Sequence, residues 1–200
     1  MAIRILHCKI YISLLFLSVL CILLLVDQTG IMLFGICAVI LHELGHLAVM
    51  AALRILPQEI VLQPAGILIK RKNEITSYKK ELAVAAGGCF VNLLLFAVCA
   101  LLYRTAANEK LMLFAVSNLS IAVFNLIPLH GLDGYDMINI ALSMKLHKTA
   151  ADRISGILAI FSLLLLTASA TALFIYSGFN TSLAICVIYL GILTLVNLRY

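Results

Sequence analysis

The sequence predicts an all-α polytopic membrane protein, with six transmembrane helices and a short membrane-associated β-hairpin between the second and the third. Three observations predict it. The 200 residues are 64% hydrophobic and only 12% charged, whereas a soluble domain is roughly half apolar and about a quarter charged. The apolar residues are gathered into six runs. The lysines and arginines crowd the alternate connections between those runs.

The runs cover residues 10–26, 31–53, 82–102, 111–127, 154–176 and 182–198. Each is close to the ~17–25 residues a helix needs to cross hydrocarbon. Helices are the expected form because lipid offers no partner to unpaired backbone groups. With the N-terminus in the cytoplasm, twelve basic residues fall inside: Arg4, Lys9, Arg54, Lys70, Arg71, Lys72, Lys79, Lys80, Lys145, Lys148, Arg153 and Arg199. Only Arg104 and Lys110 fall outside. That asymmetry sets both termini of a multi-pass membrane protein in the cytoplasm. It also accounts for the net charge of +5 as membrane orientation and contact with the lipid bilayer, and no nucleic-acid partner is expected.

The first run is expected to be an uncleaved anchor, since no small-x-small cleavage site follows at Val26-Asp27-Gln28. The chain is read as one domain over residues 1–200. Its outer connections are short, and its inner ones carry the unusual residues. In residues 55–80, two β-prone stretches flank Pro64-Ala65-Gly66, which predicts the hairpin. In residues 128–152, Pro128 ends the fourth run and Asp133 is the expected N-cap of an interfacial helix over 134–146. The six cysteines are scattered without a C-x-x-C pair, so they are read as plain buried thiols apart from cytoplasmic Cys8.

The second run contains His42-Glu43-Leu44-Gly45-His46, an H-E-x-x-H pattern. On a helix His42 and His46 project from one face, a turn apart, so both imidazoles can grip one ion. Glu43 beside them is placed to act on a water at that ion. Polar and charged groups are expensive in a bilayer and are usually functional there. The plain alternative is a pair of histidines making interhelical hydrogen bonds, which leaves Glu43 buried with no basic residue nearby in the span. Zinc wants a third protein ligand and an open position. Among the nine acidic residues, Asp133 and Asp136 follow the fourth run on the matching side of the membrane, so both are candidates.

Three blocks then resemble the site-2 protease family of intramembrane zinc metalloproteases: His42 to His46; Ala86-Gly87-Gly88-Cys89-Phe90-Val91-Asn92; and Asn125-Leu126-Ile127-Pro128-Leu129-His130-Gly131-Leu132-Asp133-Gly134. The last is similar to that family's N-P-x-P-x-x-x-L-D-G box, with Leu126 where the first proline is common. The resemblance covers residues 31–138 and looks most like the short bacterial branch associated with sporulation. It implies one Zn²⁺ held by His42, His46 and Asp133, with Glu43 as catalytic acid/base. It further implies Asn125 near the reacting carbonyl, and a transmembrane or membrane-associated protein substrate cut near the cytoplasmic face in regulated intramembrane proteolysis. Two rival functions use the same residues: a membrane metal transporter, and a proteolytically inactive relative that binds membrane partners. The nearly featureless outer halves of the runs argue against transport, and retention of Glu43 argues against inactivity.

Overall fold

A computed structural model describes residues 2–5, 8–12, 27, 30–55, 57–63, 66–71, 77–176 and 192. Its elements are strands β1 (Ala2–Ile5), β2 (Cys8–Ile12), β3 (Pro57–Gln63) and β4 (Gly66–Arg71), and helices α1 (Ile31–Ala52), α2 (Tyr78–Ala106), α3 (Glu109–Asn125), α4 (Asp133–Ser143) and α5 (Lys148–Tyr176). The chain divides into two compact units, Met1–Ala122 and Val123–Tyr200.

The first unit contains one four-stranded sheet in the order β1-β2-β3-β4. β3 and β4 pair antiparallel with Ile60 opposite Ile69 and Leu62 opposite Ile67, in the stretch where the sequence predicts a hairpin. β1 and β2, which no pattern in the sequence predicts, extend this pair. β2 lies parallel to β3, with Ile10 opposite Ile60 and Ile12 opposite Leu62. Residues 10–12, which the sequence predicts to open the first span, form a strand instead. The rest of that predicted span, and all of the last apart from residue 192, lie outside the described residues.

Among the described residues, three helices are long and apolar enough to cross a membrane: Ile31–Ala52, Tyr78–Ala106 and Lys148–Ala172. The 22 residues of α1 extend about 33 Å at ~1.5 Å each, against a hydrocarbon core of ~30 Å. α3 has 17 residues and sits at the lower edge of the spanning range. Large apolar side chains point outward in stripes at helical spacing, Phe90, Leu94 and Leu101 on α2 and Ile157, Phe161 and Leu164 on α5. Lipid is the solvent that such faces fit.

Local chemistry sets the helix ends. The Asp27 carboxylate accepts from the Gly30 amide at 3.0 Å and the Met32 amide at 2.8 Å, satisfying amides at the α1 N-terminus. α1 closes in a Schellman turn: the Arg54 amide donates to Ala51 at 3.1 Å and the Ile55 amide to Met50 at 2.8 Å. Arg54 holds the left-handed position at φ 57°, where glycine is usual. Its charge suits the negative end of the helix dipole. The Asn108 side chain caps α3 by accepting from the Lys110 amide at 3.0 Å.

α4 differs from expectation by one residue. Leu132 takes the cap position in extended conformation, and Asp133 is the first residue inside the helix. There its carboxylate still meets the positive end of the helix dipole.

Candidate metal centre

α1 and α2 approach until their backbones touch. A Cβ placed on Gly45 would come within 2.6 Å of the Gly87 carbonyl oxygen and 3.0 Å of the Gly88 Cα. One on Gly87 would meet the Gly45 carbonyl oxygen at 2.9 Å. Small residues permit this proximity, and they recur at helical spacing with the buried polar groups: Ala38, His42 and Gly45 on α1, Gly88 and Asn92 on α2. The Asn92 side-chain amide, fully buried, donates to the Ala38 carbonyl at 3.2 Å and ties the two helices a turn away from the histidines.

At this crossing the two imidazoles converge. His42 is 3% exposed and His46 8%. Their rings stand edge to face with centroids 4.8 Å apart, and their Nε2 atoms are 3.2 Å apart. His46 Nδ1 lies 2.7 Å from the Val84 carbonyl oxygen of α2. A carbonyl only accepts, so Nδ1 carries the proton and Nε2 of neutral His46 presents its lone pair. This is how a protein fixes the tautomer and orientation of a metal-binding histidine. With Zn–N bonds of ~2.0–2.1 Å, two nitrogens on a tetrahedral ion stand ~3.3 Å apart. The observed Nε2 separation matches that edge. Gly88 faces both nitrogens: a Cβ there would fall 2.5 Å from His46 Nε2 and 2.6 Å from His42 Nε2. The space in front of the lone pairs exists because position 88 has no side chain.

Glu43 follows His42 on α1 and is half-buried. Cys89 is 3% exposed, and its Sγ lies within 4.8 Å of a ring nitrogen of His42. The sequence predicts Cys89 as a buried thiol, and it is buried.

The remaining predicted residues belong to the second unit. Asn125 is the last residue of α3 and Asp133 the first of α4; both are half-buried. Asp136, one turn further, is exposed. Between them the chain doubles back tightly. Leu132 donates its amide to Leu129 at 3.0 Å and Leu129 donates to Ile127 at 2.8 Å, while Gly131 takes a φ of 89°. Leu129 and Leu132 are buried against Phe124, Ile127, Leu163 and Leu166, so two leucine anchors set where Asp133 begins its helix. A side chain at Gly134 would collide with the Leu126 carbonyl group. The His130 ring lies over Tyr135 with centroids 3.8 Å apart. Burial holds the His130 imidazole below its ordinary value. Burial, then the Asp152 carboxylate, pushes the Tyr135 phenol up, with Asp136 adding to this and a hydrogen bond with Asn139 opposing it. Asn139 also donates to Asp152 at 2.8 Å, linking α4 to α5.

No family model matches this chain, and no curated protein matches its sequence. Among solved structures, the fold is similar to that of a site-2 protease from Methanocaldococcus jannaschii, with a TM-score of 0.66 and 22% identity. The alignment covers 97% of this chain and 94% of that one. At that identity the likeness is one of fold.

Proposed function

We propose that this chain is an intramembrane zinc metalloendopeptidase of the site-2 protease type, cutting a transmembrane or membrane-associated protein near the cytoplasmic face. The observation that carries the reading is the pair of Nε2 atoms 3.2 Å apart, with His46 locked by Val84. It sits inside helices apolar enough for a bilayer. The shared fold and the three sequence blocks agree with it.

In this reading His42, His46 and Asp133 hold the ion. When bound, zinc would supply Lewis acidity, drawing the pKa of a water toward ~7 and polarising the carbonyl under attack. Glu43 takes the proton from the attacking water and returns it to the nitrogen of the leaving amine. The Asn125 amide donates to the oxygen of the reacting carbonyl as negative charge gathers there. Backbone amides inside a regular helix are shielded, so the substrate has to be held extended. β4 is an edge of the sheet, and an edge strand can take an extended peptide as an added strand. Six spans with both termini in the cytoplasm follow from the distribution of basic residues. A role in sporulation follows the branch that the sequence resembles.

The test compares membrane proteomes of cells making wild-type or Glu43→Gln protein, with zinc content measured on both purified proteins. The expected result is about one zinc per chain in each. Fragments should appear only with the wild type, since a proton-transfer residue contributes ~10²–10⁴-fold. If Glu43→Gln yields the same fragments, the peptidase reading fails. In the same assay, proline at both Ile67 and Ile69 should reduce cleavage while zinc content holds. Undiminished cleavage would remove β4 from substrate binding.

A further inference from the structure

We infer that position 70 sets a substrate preference: the segment laid along β4 carries a carboxylate directly opposite Lys70, with aliphatic residues on either side of it. The inference rests on the peptidase reading and its use of β4, and it names the class of substrate.

The register of the sheet carries the argument. Arg4, Lys9, Glu59 and Lys70 stand directly opposite one another in one row across β1, β2, β3 and β4. The neighbouring row is Ile3, Ile10, Ile60 and Ile69. Successive residues of a strand belong to opposite faces. One face therefore gathers the four isoleucines with Ile12, Leu62 and Ile67, and the charged row lies on the other.

Charges directly opposite each other on neighbouring strands favour or disfavour the pairing according to sign. Glu59 serves two lysines, Lys9 on one side and Lys70 on the other. Lys70 is the last position of the row, because β4 ends the sheet among the described residues. An added strand supplies the next position. A carboxylate there continues the alternation of sign that Glu59 and Lys70 begin. A cation there repeats the like-charged pair that Arg4 and Lys9 already form at the other edge, and is disfavoured. On the opposite face the same strand meets Ile69 and Ile67, which pair best with β-branched aliphatic residues.

The sheet is tethered where such a preference bears on cleavage. β3 begins at Pro57, shortly after α1 ends at Ala52, and β4 ends at Arg71, shortly before α2 begins at Tyr78. These are the helix ends nearer to His46 and Val84. The substrate class is thus a membrane protein whose unwound segment alternates aliphatic residues around one Asp or Glu.

The experiment uses the full chain in detergent and three short peptides with blocked ends, in which valines alternate with threonines around one central Glu, Gln or Lys. Binding is read by hydrogen exchange of the β4 amides during titration. The Glu peptide should protect them about 2–5-fold more tightly than the Gln peptide, the range expected for one cross-strand charge pair, and the Lys peptide should bind most weakly. The preference should shrink in ~1 M salt. Lys70→Gln should abolish the preference, and Lys70→Glu should reverse it. Arg71→Gln, on the other face, should keep it. Equal affinity for the three peptides, or a preference that Lys70→Gln leaves intact, overturns the inference. Protection of β4 without peptide that is lost on dilution would assign the edge to a second copy of the chain and also overturn it. Absence of protection by any peptide removes β4 from substrate binding, and the inference falls with it. None of these outcomes touches the metal, so the zinc reading stands or falls separately on Glu43→Gln.

Discussion

Two places in the molecule depend on a missing side chain, and they do so for different reasons. At the α1–α2 crossing, glycines 45, 87 and 88 let one helix touch another, and Gly88 leaves room in front of two ring nitrogens. In the first turn of α4, Gly134 lets the chain fold back until it lies on the carbonyl of Leu126. The first absence creates space that an ion can use. The second creates none, because backbone already fills it. The contrast separates what glycine does for chemistry from what it does for folding.

The largest effect is expected from Gly88→Ala. The new methyl would sit 2.5 Å from His46 Nε2 and 2.6 Å from His42 Nε2. Both neighbours are side chains, so the rings can turn, but His46 can turn only by giving up its bond to Val84. Metal affinity should fall by roughly 10–100-fold, the range seen when the orientation of a metal-binding histidine is disturbed. Stability should change little by comparison. Gly45→Ala is the matched control. Its methyl meets the Gly87 carbonyl and the Gly88 Cα, which are backbone and cannot turn aside, so overpacking should cost about 1–3 kcal/mol. Metal titration and thermal melts in detergent on both variants give the answer. If Gly88→Ala binds metal as well as wild type, the cradle is not where the ion goes.

Gly134→Ala should come next, with the opposite profile. Alanine in a helix is favoured over glycine by ~1 kcal/mol. The gain is outweighed because the methyl would run into the Leu126 carbonyl carbon and oxygen, and neither can move without unseating Leu129 and Leu132. The expected outcome is a net loss of about 1–3 kcal/mol, read as earlier melting of the α4–α5 region by hydrogen exchange. A stabilised variant would mean that the turn is looser than its buried leucines imply.

The same contrast explains what the sequence could and could not disclose. His42, Glu43 and His46 were legible because helical spacing alone places two rings on one face, and because polar residues stand out in an apolar run. The β3–β4 pair was legible from the Pro-Ala-Gly turn. Residues 10–12 were not, since a short apolar stretch joined to a longer one has no periodicity that separates strand from helix. Asp133 was legible as a helix start, but not to the residue: capping preference favours Asp at the cap, and here burial of Leu132 takes that position and moves Asp133 inside. Cys89 is buried, as a cysteine scattered in an apolar run is expected to be, and only the fold reveals that it lies beside His42.

The smallest effect concerns protonation in the turn and bears on the second region alone. His130 lies against Tyr135, and burial lowers its pKa from an ordinary value near 6.5. A histidine whose folded pKa is depressed favours the neutral ring in the folded state. Its contribution to stability is therefore complete above about pH 6.5 and is lost as the pH falls below that value toward the folded pKa. His130→Gln cannot take up the proton and should be less sensitive to acid. Melts in detergent at about pH 7.5 and about pH 5.5 should show the wild type losing more stability on acidification than the variant, while the two keep similar cobalt affinity at the higher pH. Equal losses would place His130 in contact with solvent and detach it from the folding of the turn.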